Sequence, residues 1–235
     1  METIKKVQQD ALVIMSGGQD STTCLFWALK KYRNVSAISF YYDQRHSDEL
    51  ICAQRITSAL GVPHVIHDLT ILSKIANESA LIGQEDKVIE VLPDGIPNTH
   101  VPMRNAMFLT IAYGIALEQD IKNIVIGACE VDSSGYKDCT GKFLDQLEQS
   151  LNTGYKNSDT GFIRIVAPLL TKTKAEIFEL ADNLGILELI IKGTHTCYKG
   201  DHITLHDWGF GCGECPACVL RKKGYKQFVE KKNAK

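Results

Sequence analysis

The chain has 235 residues, 44% hydrophobic and 23% charged, which is enough to bury a sizeable core. With only 18 glycines and 6 prolines, collagen-like and low-complexity classes are excluded. Lysine and arginine total 26 against 28 aspartates and glutamates, and the net charge of −2 argues against a nucleic-acid coat protein. No apolar run reaches the roughly 18 residues of a membrane span, and the first residues lack a signal-peptide core. We therefore expect a cytoplasmic protein.

Short β-branched runs alternate with helical patterns along the chain. Strands are predicted at 11–15, 35–41, 62–67, 123–128 and 163–167. Helices are predicted after the Gly17-Gly18 pair, over 46–60, around 109–117 and over 174–184, the last with Thr173 as its N-cap. Residues 77–100 are polar and turn-rich, which is typical of an insertion or lid. The alternation predicts an α/β fold with a Rossmann-like parallel sheet of about five strands and helices on both faces.

The string Ser16-Gly17-Gly18-Gln19-Asp20-Ser21 follows the first predicted strand, where ligands bind in such sheets. Two glycines let the backbone approach an anion, and N–H groups at the start of the next helix point at it. Asp20 would repel a phosphate unless it binds a cation, which favours Mg²⁺. The alternative is a plain turn with Ser21 as an N-cap. The predicted nucleotide-binding residues are Met15, Ser16, Gly17, Gly18, Gln19, Asp20, Ser21, Thr22, Thr23, Cys24 and Leu25.

This string resembles the PP-loop signature, Ser-Gly-Gly-x-Asp-Ser, of the ATP pyrophosphatases, which include GMP synthetase, NAD synthetase and tRNA thiolases. The resemblance implies cleavage of ATP to AMP and pyrophosphate and activation of a carboxylate or carbonyl by adenylation. Lys174 begins a helix after the fifth strand, where its ammonium could reach a phosphate.

Four of the eight cysteines crowd the C-terminal part of the chain: Cys197, Cys212, Cys215 and Cys218. In a reducing cytosol this crowding indicates metal rather than disulfides. Four thiolates complete tetrahedral zinc, so we predict a structural zinc site. An iron–sulfur cluster and a chance grouping without metal are alternatives. A histidine could replace Cys197 (His195, His202 or His206), although the loop 202–211 is interpreted as an insertion between two thiolate ligands.

Other polar strings follow the second and fourth strands and open the long helix. They are Asp43-Gln44-Arg45-His46, residues 130–139, and residues 101–105. Arg104 is suited to clamp a carboxylate or phosphate bidentately, and Tyr136 with nearby acids suits a guanine-like heterocycle. Ordinary surface loops remain the alternative. Cys139 is a candidate nucleophile, Cys24 and Cys52 are interpreted as core residues, and the basic stretch 221–235 as a solvated helix face.

Together these strings resemble the QueC family of 7-cyano-7-deazaguanine synthases, from Ser16 to Arg221. Further matching strings are Gly95-Ile96-Pro97-Asn98-Thr99, Glu130-x-Asp132, Ser134-Gly135-Tyr136-x-Asp138-Cys139 and Thr196-Cys197-Tyr198. The resemblance implies an adenine nucleotide alpha hydrolase-like fold, one structural zinc and a homodimer. It also implies that 7-carboxy-7-deazaguanine, ammonia and ATP form a nitrile through an adenylated carboxylate and an amide. The sequence differs from the family pattern in three places. Asp43 and Met103 stand where the family usually has Gly, and the interval from Cys197 to Cys212 is longer than usual.

We assign roles and domains accordingly. The catalytic candidates are Asp20, Lys174, Asp132 and Glu130, the last two as bases for ammonia. The substrate-binding candidates are Gln44, Arg45, Arg104, Asn105, Tyr136 and Asp138. Residues 1–192 are expected to form the ATP-binding domain and 193–235 the zinc-binding subdomain with its helix. Small molecules are the expected partners, without nucleic acid or membrane.

Two rival functions remain. A tRNA-thiolating PP-loop enzyme would need a basic surface and a reactive cysteine or iron–sulfur cluster, and often carries an added RNA-binding domain. The net charge of −2 argues against it. The second rival is a nucleotide-sensing or zinc-ribbon module without catalysis.

Overall fold

The computed structural model describes residues 6–45, 48–83, 90, 97–131, 136–155 and 161–234. Its main sheet is formed by β1 (Ala11–Ile14), β2 (Val35–Tyr41), β3 (His64–Asp68), β4 (Asn123–Val125) and β5 (Arg164–Val166). The strand order is β3-β2-β1-β4-β5, and all four pairings are parallel. The predicted five-stranded parallel sheet is therefore confirmed.

The helices are α1 (Gln19–Lys31), α2 (Asp48–Leu60), α3 (Ile71–Ile75), α4 (Arg104–Glu118), α5 (Gly141–Gly154), α6 (Lys174–Asn183), α7 (Leu187–Gly193) and α8 (Pro216–Asn233). A short 3-10 helix covers Lys137–Cys139, and β6 (Leu205–His206) pairs antiparallel with β7 (Gly209–Phe210). Helix α5 was not predicted, although Phe143, Leu147 and Leu151 recur every fourth residue along it. Thr173 caps α6 as predicted, and with Glu176 it forms a capping box.

Apolar layers cover both faces of the sheet, which explains why β1 is a continuous apolar run. Leu12 and Ile14 pack with α4 residues on one face, whereas Ala11 and Val13 pack with α1, α2 and α6 residues on the other. All four strand residues are buried. Each large side chain buried in this way stabilises the fold by about 1.5–3 kcal/mol before entropy is counted.

The connectivity decides where a ligand can bind. From β1 the chain moves outward through β2 to β3 and then crosses back to β4 on the other side of β1. The strand order therefore reverses between β1 and β4, and in such folds ligands bind in the crevice at the carboxyl ends of these strands. The loop after β1 and the loop after β4 both open onto this crevice.

Helix α8 departs from the interpretation of 221–235 as a solvated helix face. Arg221 is 2% exposed and Phe228 4% exposed, and these positions are one heptad apart, so one face of the helix is buried. Phe228 stacks on Phe178 of α6, and a Cβ on Gly224 would lie 2.4 Å from the Cβ of Lys174. The lysines between these positions obscure the helical periodicity of the buried residues in the sequence. Across the described residues, no helix combines the length and apolarity needed to cross a membrane.

Candidate functional site

The loop after β1 is folded around Ser21. The N–H groups of Ser16 and Gly17 donate to its Oγ at 3.1 and 3.2 Å, and its Oγ lies 3.0 Å from Ser16 Oγ. Gly17 has φ +87°, and a Cβ there would fall 1.8 Å from the Glu49 carbonyl oxygen, so only glycine fits. The N-cap of α1 is Gly18, without a side-chain hydrogen bond. Ser21 therefore organises the loop and is not an N-cap.

Three buried side-chain atoms in the first turn of α1 have no hydrogen-bond partner among the described residues: Gln19 Nε2, Asp20 Oδ1 and Thr22 Oγ1. A buried polar atom left unpaired costs about 1–3 kcal/mol, so such atoms indicate a bound molecule or water. A carboxylate oxygen, an amide and a hydroxyl at a helix N-terminus fit a cation-bound phosphate group.

Lys174 reaches back from the start of α6 to the same loop. Its Nζ lies 2.5 Å from Oδ2 of Asp20, and the side chains are 15% and 25% exposed. The fold thus brings together two of the predicted catalytic residues, although 154 positions separate them. An ammonium at this place can neutralise charge that develops on a phosphate in the crevice.

The remaining predicted nucleotide-binding residues are buried. Thr23 Oγ1 donates to the Gln19 carbonyl at 2.8 Å, while Met15, Cys24 and Leu25 belong to the hydrophobic core. Their role in nucleotide binding stays a prediction.

A small polar pocket lies at the start of α4. It is lined by Thr99, His100, Val101, Arg104, Tyr136 and Asp138. Three of these are predicted substrate-binding residues: Arg104, Tyr136 and Asp138. The Tyr136 hydroxyl bonds Thr99 Oγ1 at 2.7 Å, and one ring face is stacked on His100 at 5.5 Å. In the sequence, Thr99 stood out only as part of a family string, and His100 only by its place in a turn-rich segment.

Asp138 and Asn105 also hold the wall of this pocket together. The backbone N–H of Asn105 donates to Asp138 Oδ2 at 3.0 Å, so this carboxylate caps α4 across the chain. The Asn105 amide donates to Cys139 Sγ at 3.1 Å. Burial raises the pKa of Cys139 to about 11, with Asp138 adding to the effect, so at neutral pH it is a thiol and unsuited to act as a nucleophile.

Gln44 and Arg45 lie in the turn after β2. The Gln44 side chain folds back on that strand, accepting from Tyr42 N at 2.8 Å, while Arg45 N donates to the Leu81 carbonyl at 2.9 Å. These contacts shape the turn, and substrate binding by both residues stays a prediction.

Of the two predicted bases, Glu130 is exposed and its Oε2 accepts from Gly141 N at 3.0 Å. That bond stabilises the N-terminus of α5. Asp132, like His46 of the turn motif and Gly95 and Ile96 of the lid segment, lies outside the described residues.

Asp43 and Met103 keep the backbone that glycine favours. Their φ values are 61° and 55°, both in the left-handed region. Asp43 and Met103 differ from the family's usual glycine but keep the turn conformation that glycine would adopt. Their side chains make this conformation strained.

Glu49, near the start of α2, is a site residue that the sequence did not reveal. Its carboxylate interacts electrostatically with Arg104 and with Asp20, and burial raises its pKa to about 7. An acid in the first turn of a helix is ordinarily a favourable helix-dipole residue. Only the fold brings this one near Arg104 and Asp20.

The four C-terminal cysteines converge. Their Sγ atoms all lie within 4.8 Å of one another, and Cys212 Sγ is 4.0 Å from Cys218 Sγ. Tetrahedral zinc with ~2.3 Å bonds needs sulfurs about 3.8 Å apart. Cys215 N and Glu214 N approach Cys212 Sγ at 3.3 and 3.5 Å as donors, the hydrogen-bond pattern of a metal-binding knuckle. The cluster is compatible with a closed structural zinc site.

No histidine joins this cluster among the residues that the structure describes. His206 bonds the Gly211 carbonyl at 2.8 Å and stacks on buried Trp208. The long interval between Cys197 and Cys212 contains the β6–β7 hairpin, so the predicted insertion is an ordered element.

The segment before Cys197 joins this cluster to the phosphate loop. His195 N donates to the Gly17 carbonyl at 3.3 Å. Buried Arg221 donates to Thr194 Oγ1 and Thr196 Oγ1 at 3.1 and 3.2 Å. The cysteine cluster and the crevice thus share one anchored stretch of chain.

Comparisons with known proteins place these features in a family. The sequence model described as "Queuosine biosynthesis protein QueC" matches residues 10–229. A 7-cyano-7-deazaguanine synthase of Helicobacter pylori (strain P12) is 43% identical over 226 residues, covering 95% of this chain and 97% of that protein. One of Alkalilimnicola ehrlichii is 42% identical over 241 residues, covering 97% and 98%.

The fold has a solved counterpart in a 4-thiouridine synthetase, determined in complex with RNA and with bound ATP. The TM-score is 0.50 at 20% identity, over 94% of this chain and 51% of that one. This likeness concerns the fold alone. On the family match and these identities, the chain belongs to the QueC family of queuosine biosynthesis proteins.

Proposed function

We propose that the chain converts 7-carboxy-7-deazaguanine and ammonia into 7-cyano-7-deazaguanine, with cleavage of ATP to AMP and pyrophosphate. The observation that carries the proposal is the placement of a PP-loop beside a polar pocket containing Arg104 at one edge of the sheet. Relatives named for this synthase, 42–43% identical over at least 95% of the chain, support it.

The residues divide between the two halves of the site. N–H groups in the first turn of α1, together with Lys174, would bind the pyrophosphate leaving group. Asp20 would hold Mg²⁺, which neutralises phosphate charge when bound. Arg104 would clamp the substrate carboxylate, and Asp138 and Tyr136 would contact the deazaguanine ring.

The reaction proceeds in two activations. The carboxylate attacks the α-phosphorus, pyrophosphate leaves, and ammonia displaces AMP to give the amide. The amide oxygen then attacks the α-phosphorus of a second ATP, and a second pyrophosphate leaves. Breaking of the C–O bond to AMP, with loss of both nitrogen protons, yields the nitrile. Binding both reactants in one crevice supplies the proximity that the first attack needs.

We further propose an assembly and domain organisation. The chain acts as a cytoplasmic homodimer, residues 1–192 bind ATP, and 193–235 form a structural zinc subdomain. The contact of His195 with the phosphate loop supports a structural role for that subdomain in holding the loop.

The test uses purified, metal-replete protein with ATP, Mg²⁺, ammonium and 7-carboxy-7-deazaguanine. We expect AMP and pyrophosphate only when the acid is present, together with a product of the nitrile's mass. Amide without nitrile would restrict the proposal to a half-reaction. ATP turnover that ignores the acid would contradict it, and a thiolation assay on tRNA would follow.

A further inference from the structure

Arg221 of α8 is a buried cation, and no carboxylate of the described residues forms an ion pair with it. Four of the five N–H groups of its guanidinium donate hydrogen bonds, and all four acceptors are uncharged. Taking a guanidinium out of water is costly, and these bonds offset part of the cost. An apolar side chain of similar size would avoid the cost altogether, so the hydrogen bonds are what arginine in particular supplies here.

The four acceptors belong to three segments of the chain. Nε donates to the Trp208 carbonyl in the β6–β7 turn at 2.9 Å, and Nη2 donates to the Ile190 carbonyl of α7 at 2.6 Å. The guanidinium also donates to the hydroxyl oxygens of Thr194 and Thr196, at 3.1 and 3.2 Å. Because the guanidinium is planar and rigid, these bonds fix the stretch 194–196 relative to α7, α8 and the hairpin.

The stretch 194–196 packs directly against the phosphate loop. The N–H of His195 donates to the Gly17 carbonyl at 3.3 Å. A Cβ on Gly18 would lie 3.3 Å from Cγ2 of Thr196 and 3.4 Å from the carbonyl oxygen of His195. Both glycines of the loop are therefore supported by the stretch of chain that the guanidinium holds in place.

This support matters because the loop is expected to bind phosphate through its backbone. Its N–H groups must point at one position, and Gly18, the N-cap of α1, has no side chain that could hold them there. Binding groups need to be held within about 0.5 Å of the productive geometry. We propose that Arg221 is a positioning residue that keeps the phosphate loop in the geometry that binds ATP, an inference that rests on the proposed function.

The test is titration calorimetry with ATP and Mg²⁺ on Arg221→Met, Thr196→Val and the unsubstituted chain, compared at equal metal content. A merely structural loss unfolds part of the sample, which lowers the number of binding sites but leaves the dissociation constant unchanged. A displaced loop raises the dissociation constant of every folded molecule. We expect a rise of roughly tenfold or more in Arg221→Met, where four hydrogen bonds are lost. Thr196→Val removes one of them without changing the shape of the side chain, and should raise the constant roughly 3–10-fold.

Tyr113→Phe is the matched control, because it also removes one hydroxyl from a buried residue. That hydroxyl donates to Asn152 Oδ1 at 3.1 Å, and Asn152 in turn bonds Ile163 just before β5. These residues therefore lie at the amino end of the parallel sheet, whereas the phosphate loop lies at the carboxyl end. Tyr113→Phe should keep the dissociation constant of the unsubstituted chain.

Unchanged dissociation constants in both Arg221→Met and Thr196→Val would overturn the proposal, as would an equal rise in Tyr113→Phe. If Arg221→Met does not fold, the comparison of Thr196→Val with Tyr113→Phe decides the outcome. An unsubstituted chain that binds ATP but releases no AMP with 7-carboxy-7-deazaguanine would contradict the proposed function alone, since the affinities of the variants would still be compared. An unsubstituted chain that binds no ATP would overturn both.

Discussion

Nζ of Lys174 lies 2.5 Å from Oδ2 of Asp20, joining the first residue of α6 to the first turn of α1. The pair is shielded from solvent, and Oδ1 of Asp20 has no hydrogen-bond partner among the described residues. The ammonium is thereby held at the mouth of the phosphate loop with one carboxylate oxygen left for a cation.

Removing the Lys174 ammonium should lower turnover strongly and affect stability much less. We expect Lys174→Ala to lower acid-dependent AMP formation by roughly 10²–10³-fold, because a preorganised charge is lost from the transition state. Lys222→Ala, which removes an exposed lysine of α8, should leave the rate unchanged. Equal rates in the two variants, measured by AMP release, would contradict the role of Lys174.

Gly17 should tolerate no side chain. Gly17→Ala combines φ +87° with a Cβ 1.8 Å from the Glu49 carbonyl oxygen, and should destabilise the fold by about 2–4 kcal/mol. Gly114 in α4 has nothing within 4 Å of the position that an added methyl group would take, so Gly114→Ala should stabilise by roughly 0.5–1 kcal/mol. Urea unfolding of both variants measures the contrast, and similar free energies of unfolding would refute it.

Replacing Met103 by glycine should stabilise the fold, because the Met103 backbone is left-handed. Met103 has φ 55° and is 51% exposed, so Met103→Gly relieves strain while sacrificing little burial. We expect a gain of about 0.5–1 kcal/mol in the free energy of unfolding. Asp43→Gly should gain less, because aspartate tolerates this region better than methionine. A destabilised Met103→Gly would show that the side chain makes a favourable contact.

The free energy of unfolding should fall in mild acid because His64 is partly buried in the folded chain. Its Nε2 lies 2.7 Å from Ser39 Oγ and its Nδ1 3.0 Å from Thr57 Oγ1, and burial lowers its pKa. The unfolded chain therefore binds a proton that the folded chain does not, as pH falls through the ordinary value of about 6.5. The contribution of neutral His64 to the free energy of unfolding is fully present above that pH, and it is lost progressively as pH falls below it.

The measurement is urea unfolding of the unsubstituted chain and of His64→Gln between neutral pH and pH about 5. The difference in free energy of unfolding between them should shrink as pH falls. A constant difference would show that His64 does not titrate in this range.

Metal removal should unfold the C-terminal part first. We expect about one zinc per chain by elemental analysis, and a chelator should lower the melting temperature, because structural zinc contributes folding free energy directly. Cys215→Ser should reproduce the effect. Iron with a visible absorbance band would instead support the iron–sulfur alternative.

Some features of the site could be predicted from adjacent residues, and others depend on contacts between distant segments. Ser16 to Ser21 predicted a phosphate loop because glycine spacing and a helix N-terminus act over a few adjacent residues. Asp138 and Asn105 were assigned to substrate, but the fold also uses them to join the 3-10 helix to α4. Such contacts between segments over 30 positions apart depend on how elements pack, which local spacing does not encode.

Local patterns were sufficient to predict the five strands, the grouping of four cysteines and the family, because hydrophobic period and residue spacing are properties of neighbouring residues. Three features required the folded chain: α8 is docked rather than solvated, Lys174 forms an ion pair with Asp20, and Glu49 lies near Arg104 and Asp20. A lysine-rich helix or a first-turn acid has the same local pattern whether it faces water or protein. Packing between segments distant in the chain sets which of the two it faces.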